Sequence, residues 1–200
     1  VSSSFFTKLE DKLGIHQQPL KERIALVIYR LRVQRNEIES NSLMMQRRDK
    51  ELFDKCLAAR TTGDNLRANL YAEECAEVRK IAKLVLQSEL ALEQLIFKLE
   101  TAEMLGDIAY LVSPVKNVVS TVGKQIQHLM PEVSFELAQI NESLDGFTVE
   151  AGNVADVMMP TESHSPESEK IFNEAGFLAE QKIKSRFPEL HSEESTATPA

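Results

Sequence analysis

The chain has no tryptophan, only two cysteines, and only seven glycines and seven prolines in 200 residues. So few backbone breakers exclude a turn-rich β architecture and favour long uninterrupted helices. Cys56 and Cys75 form neither a disulfide framework nor a metal motif, and fit a reducing compartment in which they act as small buried apolar groups. No apolar run approaches the roughly 20 residues that span a bilayer. The opening VSSSFFTKLEDKLG has no apolar core of signal-peptide length. The chain is therefore expected to be soluble and cytoplasmic, while still able to lie on a membrane surface.

Catalytic signatures are missing as well. None of His16, His128, His164 and His191 has a glutamate three residues before it, as a di-iron bundle would require. No H-E-x-x-H, phosphate-binding loop or dinucleotide glycine fingerprint occurs, nor a G-x-S-x-G elbow. Glu73, Glu74 and Glu77 cluster, but on a helix they read as a solvated face. The expectation is a protein that is not an enzyme, with no cofactor and no metal.

What is present is apolar and charged. Hydrophobic residues make up 42% and charged residues 27% of the chain, with a net charge of −8. The charge is unevenly placed: residues 1–60 hold 12 Lys/Arg against 8 Asp/Glu, whereas residues 131–200 hold 4 against 14. A basic front and an acidic back share one chain, and this asymmetry says more about partners than the total does.

Pro19 and Gly63 bracket residues 20–62, and Gly63 and Gly106 bracket residues 64–105, neither stretch containing Gly or Pro. As helices each would be about 60 Å long. At 100° steps, Leu20, Ile24, Val27, Leu31, Ile38, Met45, Leu52 and Cys56 fall in one narrow sector, which no strand could sustain. Ile81, Val85, Ser88, Leu92, Leu95, Leu99, Ala102 and Ala109 repeat the pattern. TTGDN at 61–65 supplies a turn glycine and a helix-capping Asp64 or Asn65, so the two helices should form an antiparallel hairpin spanning 20–112. In that register Cys56 faces about residue 70 and Cys75 about residue 51, too far apart for a disulfide.

Shorter elements follow. A third helix, 114–130, opens at Pro114 and lines one face with Val115, Val118, Val119, Val122, Ile126 and Leu129. A fourth, 131–145, opens at Pro131 and buries Val133, Leu137, Ile140 and Leu144. The helical core should thus end near 146. Residues 147–166 read as a linker, and 167–188 as an acidic amphipathic helix started by Ser165 or Ser168 and stopped before Pro188. Its apolar face holds Ile171, Phe172, Ala175, Leu178, Ala179 and Ile183. Residues 189–200 read as a disordered tail, and residues 1–19 as a short amphipathic segment carrying Phe5, Phe6, Leu9 and Leu13. The fold class is all-α.

The stretch RIALVIYRLRVQR, residues 23–35, concentrates both the apolar side chains and the arginines. On the wheel the first long helix is apolar in two directions and basic in two others. Beyond the hairpin seam, Leu26, Tyr29, Val33 and Met44 form a second apolar strip, which requires a second neighbour: helices three and four, another subunit, or both. Lys21, Arg23, Arg30, Arg32 and Arg35 suit an anionic partner. Nucleic acid fits poorly, because the chain is acidic, has few aromatics and shows no helix-turn-helix signal. An anionic membrane fits better, with Phe5, Phe6, Leu9 and Leu13 inserting at the headgroup boundary. The acidic terminal helix, through Ile171, Phe172, Leu178 and Ile183, would fold back on the hairpin as an autoinhibitory element or engage a partner.

A basic long helix, a hairpin turn, a second long helix, two short helices and an acidic linker with a terminal helix resemble an ESCRT-III subunit. The stretches that carry this are LKERIALVIYRLRVQRNEIE, ARTTGDNLRANLYAEECAEVRKIAKLVLQSELALEQLIFKLET and EKIFNEAGFLAEQKIKSRFPEL. They are most similar to the archaeal CdvB family, over about residues 20–190. The resemblance implies a subunit that polymerises with itself and with paralogs on membranes, constricts and cuts the division neck, and is remodelled by an AAA ATPase with an MIT domain. It would act peripherally, at the inner membrane face of the division site. The tail departs from both MIT-binding patterns: around 174–184 the leucine and arginine positions are partly filled, and Pro160 and Pro166 lack the spacing of the proline version. No winged-helix segment follows, which implies a paralog without that tail. Two architectures compete: a phage-shock-type membrane-stress scaffold, and a metal-binding regulatory bundle, which would need a repeat that the sequence lacks.

Overall fold

The computed structural model describes residues 20–105, 111–152 and 165–187. Among them are five helices and no strand: α1 (Leu20–Thr61), α2 (Asn65–Leu105), α3 (Val112–Ile126), α4 (Pro131–Gly152) and α5 (Pro166–Arg186). The fold is an all-α, ESCRT-III-like arrangement built on a long helical hairpin.

The hairpin turns where the chain has its left-handed glycine. Gly63 adopts φ 75°, a conformation that a side chain would strain. Its N–H donates to the Arg60 carbonyl at 3.1 Å, and the Asp64 N–H donates to Ala59 O at 2.9 Å, satisfying the last carbonyls of α1. Asp64 Oδ1 then accepts from the Arg67 N–H at 3.1 Å and caps α2.

The seam follows the expected stripe. Ile24, Val27, Leu31, Ile38 and Leu52 of α1 are buried, as are Val85, Ser88, Leu92, Leu95, Leu99 and Ala102 of α2. Met45, Ile81 and Cys56 are half-buried. Both cysteines are free. Cys56 Sγ lies 3.3 Å from Ala68 O and Cys75 Sγ 3.7 Å from Asp49 O, as the antiparallel register requires.

α3 and α4 pair with each other, with α3 also on α2 and α4 also on α1. Val115, Val118, Val119, Val122 and Ile126 meet Val133, Leu137, Ile140 and Leu144. The helices come close at Gly123, whose carbonyl accepts from Ser134 Oγ at 2.9 Å. α3 starts at Val112, so Pro114 sits inside its first turn, where the missing N–H is not needed. Leu129 falls in the turn after α3 and is exposed. α4 continues to Gly152, past the expected end of the core at 146: Gly146 alone costs a helix only about 1 kcal/mol and no proline follows until Pro160.

α5 lies along α2 and touches α3. Ile171, Ala175 and Ala179 are buried, and Phe172 and Ile183 pack beside them. Leu178 turns outward, because the small residues of α5 rather than its leucine face α2. Ser165 is the N-cap with Pro166 in the first turn, and Phe187 is the C-cap.

Candidate functional site: the outer face of the first helix

The first helix divides its charged residues between two tasks. Arg30 reaches α4, donating to Glu136 Oε2 and Gln139 Oε1, each at 3.2 Å, and to Ser143 Oγ at 3.4 Å. These acceptors stand on one face of α4 at spacings of three and four, so one fork pins two turns of that helix to α1. Arg32 pairs with Glu100 of α2, and Arg35 with Glu39 at 2.6 Å. The arginines singled out at 30, 32 and 35 are thus engaged within the chain in this conformation. Arg23 is half-buried, whereas Lys21 is exposed, as are Arg47 and Lys50 further along.

The second apolar strip is left uncovered. Tyr29 and Met44 are each 64% exposed, Leu26 52% and Val33 38%. Leu43, at 45%, joins them and was not part of the predicted strip. It lies nearer the basic edge, where Lys21, Arg32 and Lys50 share its angle, and its neighbour Met44 masked it in a count by spacing. From Leu26 to Met44 the strip runs about 27 Å. α4 is the second neighbour of α1, but it occupies the Arg30 side and leaves this strip to solvent. Glu22, Glu37 and Glu51 are exposed on or beside the strip, so its charge is mixed.

The opposite end of the molecule is fastened by an ion pair that the sequence reading did not single out. Asp49, 1% exposed, accepts from Arg79 Nε at 2.6 Å and from Nη2 at 3.1 Å. The same guanidinium lies 5.7 Å from the centre of the Phe187 ring, a cation–π distance. Gln46 Nε2 donates to Arg186 O at 3.5 Å. α1, α2 and the end of α5 therefore meet at one buried charge. Along α5, Glu167 pairs with Lys98 and Glu180 with Lys83. The Lys98 hydrogen bond and charge hold the Glu167 carboxyl below its usual value, and Lys184 and Lys83 do the same for Glu180. Ile171, Phe172 and Ile183 thus lie on the docked side of α5 and Leu178 on its outer side.

Phe5, Phe6, Leu9 and Leu13 lie outside the described residues, as do 153–164 and 188–200. Among the described residues no group of His, Cys, Asp or Glu is placed to hold a metal ion, and no helix is long and apolar enough to cross a membrane.

A hairpin of two long helices, a short helical pair across it and a terminal helix folded back along it define an ESCRT-III-type scaffold. No family model matches the chain and no solved structure does. Curated relatives do match. The chain is 37% identical over 179 residues to Cell division protein B1 of Sulfolobus acidocaldarius, covering 90% of this chain and 84% of that one. It is 28% identical over 171 residues to Cell division protein B of the same organism, covering 86% of this chain and 66% of that one. The chain belongs to the CdvB family of ESCRT-III-like cell division proteins, and a role in cell division follows from that membership.

Proposed function

We propose that the chain is a non-enzymatic scaffold that assembles into filaments, with copies of itself and with paralogs, on the anionic inner face of the division-site membrane. The observation that carries this reading is the uncovered strip Leu26, Tyr29, Val33, Leu43 and Met44. Large apolar side chains in a row on the solvent side of a helix need a partner. The edge of the strip offers Lys21, Arg47 and Lys50 to acidic lipid or to the acidic elements of a neighbouring copy. In this conformation Arg30 is spent on Glu136 of α4 and Arg32 on Glu100 of α2, so opening of α4 would free the charge of Arg30 beside the strip. Remodelling by an MIT-domain AAA ATPase belongs to the same reading.

The test pairs Leu26→Asp with Met44→Asp. Both side chains are exposed, so the variant keeps its helical content and thermal midpoint. Sedimentation and negative-stain microscopy with anionic and with neutral vesicles then decide. Filaments from the native chain on anionic vesicles, lost in the variant, support the reading; equal assembly by both excludes this strip as the contact.

A further inference from the structure

Near its tip the hairpin carries an open groove between α1 and α2. The groove has a volume of about 550 Å³, a floor of Leu52, Leu70 and Val78, and a rim that holds Glu73, Glu74 and Glu77. Leu52 is buried, whereas Leu70 is 53% exposed and Leu66, one turn before it, 84%. Gln46 and Arg79 hold the end of α5. They stand about 160° from Arg48 on α1 and about 180° from Leu70 on α2. The terminal helix thus docks on the opposite face and leaves the groove open.

The rim is acidic and weakly neutralised. Residues 70–78 hold three acids and no cation. Glu74 approaches Arg48 at 4.0 Å, Glu77 pairs with Lys80 at the surface, and Glu73 is exposed. Exposed pairs of this kind contribute little, so they yield easily to another cation. A helix that fits this groove has an apolar face with a basic edge.

α1 has such a face. Residues 20–35 hold five cations and one acid. Leu26, Tyr29 and Val33 fall within about 60° of one another, and Lys21 and Arg32 stand about 20° apart along one edge. The three apolar side chains and Lys21 are exposed. Arg32, whose side chain is 57% exposed, pairs with Glu100 at the surface. From Tyr29 to Arg48 the hairpin runs about 30 Å, so this face cannot fill the groove of its own chain.

We propose that the tip groove of one copy receives the Leu26–Tyr29–Val33 face of α1 from a second copy, with the basic edge of that face toward Glu73 and Glu77. The proposal rests on the filament reading above and names the surface that the strip meets. The contact joins two different patches, so it is heterologous. Each copy gives a strip and offers a groove, and the series stays open unless its rotation closes a ring. With hairpins side by side, each contact shifts the next copy by about 30 Å along the hairpin.

The experiment uses two variants of the full chain, each reversed on one side of the contact. Glu73→Lys with Glu77→Lys makes the groove basic. Lys21→Glu with Arg32→Glu makes the edge of the strip acidic. These are surface positions, so both variants keep the native helical content and thermal midpoint. Filaments are measured by sedimentation and negative-stain microscopy on anionic vesicles containing phosphatidylserine. The native chain assembles, and each variant alone needs about tenfold more protein to do so. An equimolar mixture of the two regains assembly, because the basic groove of one fits the acidic edge of the other while the second pair of surfaces is native. The groove variant gains positive charge and still binds the vesicles, so its lost filaments are not lost binding. If the groove variant assembles like the native chain, the groove is excluded and the filament reading stands. If each variant fails and the mixture fails too, the two surfaces do not face each other and the proposal is refuted. If the native chain forms no filaments, the filament reading falls and this contact with it.

Discussion

Asp49 and Arg79 show what one pair of side chains does in a helical seam. A carboxylate that is almost fully buried is tolerable only because a guanidinium approaches it with two nitrogens. Removing one partner leaves the other charge buried and bare. Arg79→Ala should therefore destabilise the fold by about 3–5 kcal/mol, read by chemical denaturation, and should free Phe187 as well. Arg79→Lys keeps the charge but loses the fork, and should recover only part of that stability. Glu89 is the opposite case: it is 5% exposed, and its Oε2 accepts no hydrogen bond. Its carboxyl sits above the unfolded value, so it adds stability below the ordinary carboxylate range and loses it as the pH rises through the folded value. The native chain should therefore show a falling thermal midpoint across that upper window, and Glu89→Gln should flatten it. Asp49 was legible in principle: it falls within the apolar stripe between Met45 and Leu52, where a charge has no business without a partner. Glu89 was not, because it stands at the edge of the α2 stripe rather than within it, where a charge is ordinarily solvated.

At the scale of the helices, periodicity carried most of the architecture. The stripes of α1 and α2, the Gly63 turn and the apolar faces of α3 and α4 follow from the spacing of Leu, Ile and Val and from the breakers. Helix ends were less legible, since a glycine such as Gly146 ends a helix only when another conformation is more favourable. The docked face of α5 was missed in part: Leu178 was counted with the apolar face, but Ala175, Gly176 and Ala179 let α5 approach α2 closely, with Gln87 against Gly176. Closeness, not apolar bulk, decides that contact. Ala179→Leu should overpack it by about 1–3 kcal/mol and release α5. Hydrogen exchange would then show lost protection over 166–187, with the hairpin seam unchanged. Gly63→Ala tests the turn: the left-handed φ should make it destabilising by about 1 kcal/mol, measured by thermal unfolding.

For the whole molecule, the chain folds its charge inward. The basic front meets the acidic back directly at Arg30–Glu136, and the other pairs run through α2, which gives Glu100 to Arg32 of the front and Lys83 and Lys98 to Glu180 and Glu167 of the back. Sequence alone counted the arginines of α1 as available; the closed fold assigns Arg30, Arg32 and Arg35 to internal acids. The apolar strip beside them, for which the pattern required a second neighbour, stays exposed, and no described residue of the chain covers it.

The two cysteines give this molecule a native labelling site. Burial, with the Asp49 charge beside it, pushes the Cys75 thiol up to about 11, leaving almost no thiolate at neutral pH. Cys56 is half-buried near the hairpin tip. A maleimide dye should therefore enter at Cys56 alone until the hairpin unfolds, and mass spectrometry would count one label per folded chain. A single dye at the tip would then report, by its change in anisotropy or emission, when one chain meets another.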